Sequence, residues 1–218
     1  MSRIILANRH CLAAAALALP LCAAVPAEAV DFAPPAPGHR FEYECNSNVP
    51  NPLNPARTAE IKIEQVEGGI VTYQTLINGM PRLEIRQPLS LYGASTSLVE
   101  QSISNKGTRR VVAGLDKFPS LRDLKIGSTY EGTIEWAYES GKNRTFNVAL
   151  TISEEAEYRT EAFGYIPVIV VEEIWTGPKT KITSKTYISP ERSAVVAWTT
   201  EFGKWGIEAC WLTGIRTP

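Results

Sequence analysis

Few residues of this 218-residue sequence could make or break bonds, and their spacing limits each of them. Glu172 and Glu173 are adjacent, so on a β-strand they point to opposite faces and cannot act as a pair. Glu131 and Glu135 lie on the face of Thr133, the polar side of an alternating segment whose apolar side carries Tyr130, Ile134, Trp136 and Tyr138. Two carboxylates at a suitable separation can hydrolyse a glycosidic bond, which makes these four the candidates for a hydrolase reading. His10 lies in the apolar start of the chain, which leaves His39 beside Arg40 at the end of a proline-rich stretch, with no glycine-flanked nucleophile elbow for it to serve. One imidazole and two distant thiols do not make a zinc ligand set, and no Asp/Asn/Gly loop has calcium spacing. No catalytic, cofactor-binding or metal-binding residue is therefore expected. Asn143-Arg144-Thr145 matches a glycosylation acceptor, which matters only in a eukaryotic source.

The thiols carry a different message. Arg3 and Arg9 precede an apolar run from Cys11 to Val25, followed by Ala27-Glu28-Ala29. A positive start, a short apolar core and small residues at a cleavage point are the layout of a secretory signal. Residues 1–29 are thus expected to be cleaved, which removes Cys11 and Cys22 and leaves Cys45 and Cys210. An even pair in an exported chain reads as one disulfide. Leu19-Pro20-Leu21-Cys22 offers an alternative, lipid anchoring at Cys22, although Leu21 is larger than the residue that usually precedes a lipidated cysteine. The apolar run is too short and too broken by Pro20 to span a membrane, so the cleaved chain is expected not to be transmembrane. Of 218 residues 189 then remain, with 20 Lys+Arg against 22 Asp+Glu, which does not suit an electrostatic nucleic-acid binder. Arg109-Arg110 and Lys179/Lys181/Lys185 read as solvated strand faces.

The elements that must position these groups are strands. After the proline-rich lead-in at 30–39, read as an extended arm or tether, Phe41, Tyr43 and Cys45 alternate with Glu42 and Glu44. Ile61 and Ile63 alternate in the same way, and Gly68-Gly69 and Asn78-Gly79 mark hairpin turns. Leu89 to Ile103 fits strand or mixed structure, and Leu115, Phe118, Leu121 and Leu124 recur at three-residue steps that suit one short helix. From Ile126 onward strand signals return: Thr145–Ile152, Tyr165–Trp175, Ile182–Ser189, Ala194–Phe202 and Trp205–Leu212. The expectation is a single all-β domain over 40–218: an antiparallel up-and-down barrel or strongly curved sheet of about 10–12 strands, with a two-sheet sandwich next. All five tryptophans lie in the last 83 residues. Trp136 and Tyr138 share a strand face with Phe146 across the turn, so these three are the candidate lining of a ligand cavity.

Leu121-x-x-Leu124-x-Ile126-Gly127, Ala162-Phe163-Gly164-Tyr165 leading into Val170-Val171-Glu172, and Tyr187-Ile188-Ser189-Pro190 resemble corresponding stretches of uncharacterised Gram-negative periplasmic proteins with a lipocalin-like β-barrel. The resemblance covers about 95 residues of the C-terminal half, and Phe163-Gly164 matches its turn only approximately. It implies a periplasmic location and a barrel shape and transfers no active residue. The function expected first is a non-enzymatic envelope protein holding an apolar or lipidic molecule, or a partner segment, in a β-barrel. A structural or interaction protein of the envelope is the alternative, and the carboxylate hydrolase ranks third.

Overall fold

The computed structural model describes residues 34–49, 58–93, 95, 98–103, 107–119 and 125–218. The expected leader, its cleavage point and the Cys22 anchor lie outside the described residues. Twelve strands run in chain order: β1 (Arg40–Ser47), β2 (Thr58–Glu67), β3 (Ile70–Ile77), β4 (Met80–Pro88), β5 (Glu100–Ile103), β6 (Gly107–Ala113), β7 (Thr129–Tyr138), β8 (Asn143–Thr160), β9 (Gly164–Gly177), β10 (Thr180–Ser189), β11 (Ala194–Glu201) and β12 (Ile207–Arg216). Each pairs antiparallel with its sequence neighbours, and β1 pairs with β12, closing the sheet into an up-and-down barrel. Closure leaves no unpaired sheet edge. It also selects the barrel over the open sheet and the sandwich.

Alternation decides which residues meet inside. Phe41, Tyr43, Ile63, Val71, Tyr73, Ile134, Trp136, Leu150, Ile169, Val171 and Leu212 are buried in one interior cluster. The outer face carries ion pairs instead: Arg40–Glu60 at 3.1 Å, Lys62–Glu64 at 2.9 Å, Lys185–Glu172 at 3.2 Å, and Arg216–Glu42. A lipid-facing barrel shows the reverse, an apolar outer band over a polar interior. Among the described residues, no helix is long and apolar enough to cross a membrane. Register shifts interrupt six of the ladders, and the one on β2 shows their effect. Ile63 faces Tyr73 but Gln65 already faces Thr72, so one extra residue on β2 brings Val66 back toward the core, one place out of step with simple alternation.

The two ends of the barrel differ. At one end, the segment between β4 and β5 folds inward as a stopper. It begins with a 3-10 turn at Leu89–Leu91 and buries Leu91, Tyr92, Ser95, Leu98 and Val99. A Cβ on Gly93, whose φ is +80°, would lie 3.6 Å from Ile188 and 3.8 Å from Val195. Those residues belong to β10 and β11, five or six places around the twelve-strand ring from β4 and β5. The segment therefore crosses the full width of the barrel, a placement that local alternation over 89–103 did not reveal. Of the expected short helix, the described residues include one 3-10 turn at Leu115–Lys117, and Leu121 and Leu124 lie outside them. The lead-in is not a free tether over 34–39. Pro35 is buried, Gly38 N–H donates to Ile63 O at 2.8 Å, and Ile63 N–H donates to His39 O at 2.9 Å, which fastens it to the stoppered end.

Inside the barrel, Tyr43 donates its hydroxyl to Val195 O at 3.0 Å and meets the Trp198 ring edge-on at 4.8 Å. Tyr43→Phe keeps the ring but removes that donor from a buried carbonyl. We expect a loss of about 1 kcal/mol, read as a lower urea midpoint at an unchanged slope.

Candidate ligand-binding cavity

Among the described residues, the opposite end of the barrel, where the β3–β4, β9–β10 and β11–β12 turns lie, is open. It leads to a cavity of about 310 Å³, at the small end of the range for small-molecule sites. Ten of the twelve strands, all but β7 and β8, contribute side chains from their inward faces. Ala59 and Ile61 come from β2, Tyr73 and Ile77 from β3, and Leu83 and Ile85 from β4. Trp175, Ile182, Val195, Trp198 and Phe202 complete an apolar wall, relieved by Thr75, Ser184, Thr186 and Thr200. Cys45 and Cys210 also line it, directly opposed in the β1–β12 register with Cα atoms 4.1 Å apart and joined by the expected disulfide.

Two charged residues share this wall. Arg109 stands on β6 and Glu208 on β12, strands six places apart in the ring, so they occupy opposite sides of the mouth. Arg109 donates Nε–H to Gln101 Oε1 at 2.8 Å and Nη2–H to the same oxygen, and its guanidinium lies 4.8 Å from the centroid of Trp136. Reading Arg109-Arg110 as one solvated face is therefore corrected: adjacent residues on a strand point opposite ways, and only Arg110 is exposed. Burial raises the Glu208 carboxyl above its ordinary value, partly countered by a hydrogen bond from the Trp198 side chain.

The three aromatics expected to line the cavity are not among its lining residues. Trp136 is buried beneath Arg109. Phe146 packs edge-on against Trp175 at 5.9 Å, and Tyr138 carries the Arg144 guanidinium 5.5 Å from its ring centre. All three belong to the interior hydrophobic cluster, with Phe146 registered opposite Ile134 and Trp136 opposite Arg144.

Nor do the four carboxylates converge. Glu172 points outward to Lys185. Glu135 accepts from Asn143 Nδ2 at 2.7 Å, and Glu131 borders a shallow outer groove with Thr133, Asn147 and Ile174. Glu173 points inward, in phase with Ile169, Val171 and Trp175, and is 3% exposed. Its Oε2 accepts from Trp175 Nε1 at 3.4 Å, Ser95 of the stopper also bonds it, and among the described residues Oε1 has no partner. Desolvation pushes this carboxyl up to about 7. His39 lies at the stoppered end, edge-on to Phe41 at 6.2 Å, away from the mouth.

Glu173, Glu208 and Arg109 were thus legible as interior groups only through phase. Glu173 shares parity with Val171 and Trp175, Glu208 with Cys210 and Leu212, and Arg109 with Val111. No family model and no curated protein matches the sequence. Among solved structures, the chain is similar to the crystal structure of the hypothetical lipoprotein YmcC from Escherichia coli K12, with 11% identity and a TM-score of 0.48 over 84% of this chain and 89% of that one.

Proposed function

We propose that this protein is an exported envelope protein that binds, rather than transforms, an apolar or lipidic molecule inside the mouth of its barrel. The observation that carries the proposal is the cavity itself: an apolar wall open at one end and stopped at the other by the segment between β4 and β5. A barrel filled only for stability would carry its packing through to both ends, whereas here a cavity of about 310 Å³ lies between the strands toward the mouth. Such a site removes an apolar chain from water without requiring any group in the wall to react. The buried acid Glu173 is held between Trp175 and the stopper residue Ser95, and is not among the cavity-lining residues. The leader motif supports periplasmic delivery.

Trp175 and Trp198 in the wall provide the readout. The protein purified from a periplasmic extract is expected to release a discrete amphiphile into organic solvent, detected by mass spectrometry, and re-addition of that extract to stripped protein should change the tryptophan emission. An extract with no bound molecule, together with no emission change across a panel of lipids, would reject the proposal.

A further inference from the structure

We propose that the cavity selects amphiphiles with a single anionic head, and that Arg109 holds that head. This rests on the cavity being a ligand site, as proposed above, and goes further by naming the chemical class of the ligand.

Arg109 is an unusual wall residue for an apolar cavity. A strand arginine that served only solubility would point outward, as its neighbour Arg110 does. The Arg109 guanidinium instead faces the interior, and among the described residues no carboxylate pairs with it. Its partners are one neutral oxygen, Gln101 Oε1, and the face of Trp136. A guanidinium has five N–H donors, and two of them share that single oxygen, so donors remain for a second acceptor. Gln101 and Trp136 are both buried, so the fork is held in place before any ligand arrives and loses little freedom on binding.

Position along the barrel matches the shape of an amphiphile. Arg109 is registered opposite Tyr138, the last residue of β7, close to the open end. Ile61, Leu83, Ile85 and Trp175 line the same cavity and offer an apolar path for a chain. A carboxylate or phosphate head would then sit on Arg109 near the mouth with its tail directed inward. Glu208 on the facing wall sets the sign of a second effect: ionised, it repels an anionic head, and replacing it with a neutral isostere removes the repulsion.

The test uses the full mature protein and four probes of one chain length, followed by tryptophan emission at neutral pH below micelle-forming concentrations: dodecanoate, dodecyl phosphate, dodecanol and dodecyltrimethylammonium. The expected result is that both anions bind ~10-fold or more tightly than dodecanol, the effect of a hydrogen bond to a charged group. Arg109→Gln should bring the anions down to the alcohol's affinity and leave dodecanol unchanged, while Arg109→Lys retains part of the preference. Glu208→Gln should tighten the anions alone. Equal binding of dodecanol and the anions, or tightest binding of the cation, would overturn the assignment while leaving the cavity as a ligand site. Failure of all four probes to bind would overturn both. Should Arg109→Gln fail to fold, the wild-type ranking and Glu208→Gln decide the matter by themselves.

Discussion

The Cys45→Ser, Cys210→Ser double variant should be less stable than the parent by about 3–5 kcal/mol, and reduction of the parent should have a similar effect. The bond joins positions 165 residues apart, so it encloses nearly the whole barrel. In the chain-entropy account, a cross-link over a loop of that length stabilises by about 5 kcal/mol, because the unfolded chain loses the freedom to separate its ends. Here the same two residues lie in the pairing that closes the barrel, β1 with β12, which has the largest sequence separation of all the strand pairings and hence the largest closure cost. The other ladders join neighbours in sequence and form through short turns. The disulfide thus removes the entropy penalty where the fold incurs most of it. Urea unfolding of oxidised parent, reduced parent and double variant gives the check. The midpoint should fall in the latter two, and the slope should rise as the unfolded chain expands. Coincident midpoints would mean that the closing ladder holds without the cross-link.

How far the sequence discloses this molecule depends on the range of the information needed. The strand-by-strand alternation of Phe41, Tyr43 and Cys45 against Glu42 and Glu44 is local, and it announces an apolar interior with the thiol inside. The glycine pair at 68–69 and Asn78-Gly79 are local too, and they mark turns where the chain adopts positive φ. The stopper is not local. Leu91, Tyr92, Leu98 and Val99 carry no strand phase of their own, and their burial depends on reaching β10 and β11 across the ring. The cavity is hidden for a related reason: its wall takes one to three residues from each of ten strands, so no segment shows it. Tryptophan density drew attention to Trp136, whereas the residue facing the cavity at that place is Arg109, which Trp136 supports from behind. Polar residues in phase with an apolar face, Arg109, Glu173 and Glu208, are the sequence signal that was present but is masked when charge is read as exposure.

Glu173 provides the second large effect, and its direction is opposite to that of most carboxylates. Its carboxyl is pushed up to about 7 from an ordinary 4.5 by burial, against weaker help from Ser95 and Trp175. A group whose folded value lies above its unfolded value binds more protons in the folded state throughout the interval between them. Stability therefore falls as pH rises across that interval and is level on either side. The full span corresponds to about 3 kcal/mol, lost between about pH 4.5 and pH 7 and absent at lower pH, where Glu173 is neutral both folded and unfolded. Glu208 is raised as well and adds a loss of the same sign, so the parent alone does not isolate Glu173. Glu173→Gln does. The amide keeps the shape, its oxygen can accept from Trp175, and it never carries the charge that burial penalises. We expect the variant to match the parent at acidic pH and to exceed it by about 2–3 kcal/mol above neutrality. Parallel stability curves for the two proteins from acid to mild alkali would show that Glu173 reaches solvent or a compensating donor, and that the contact between the stopper and β9 is not a charged group held at a cost.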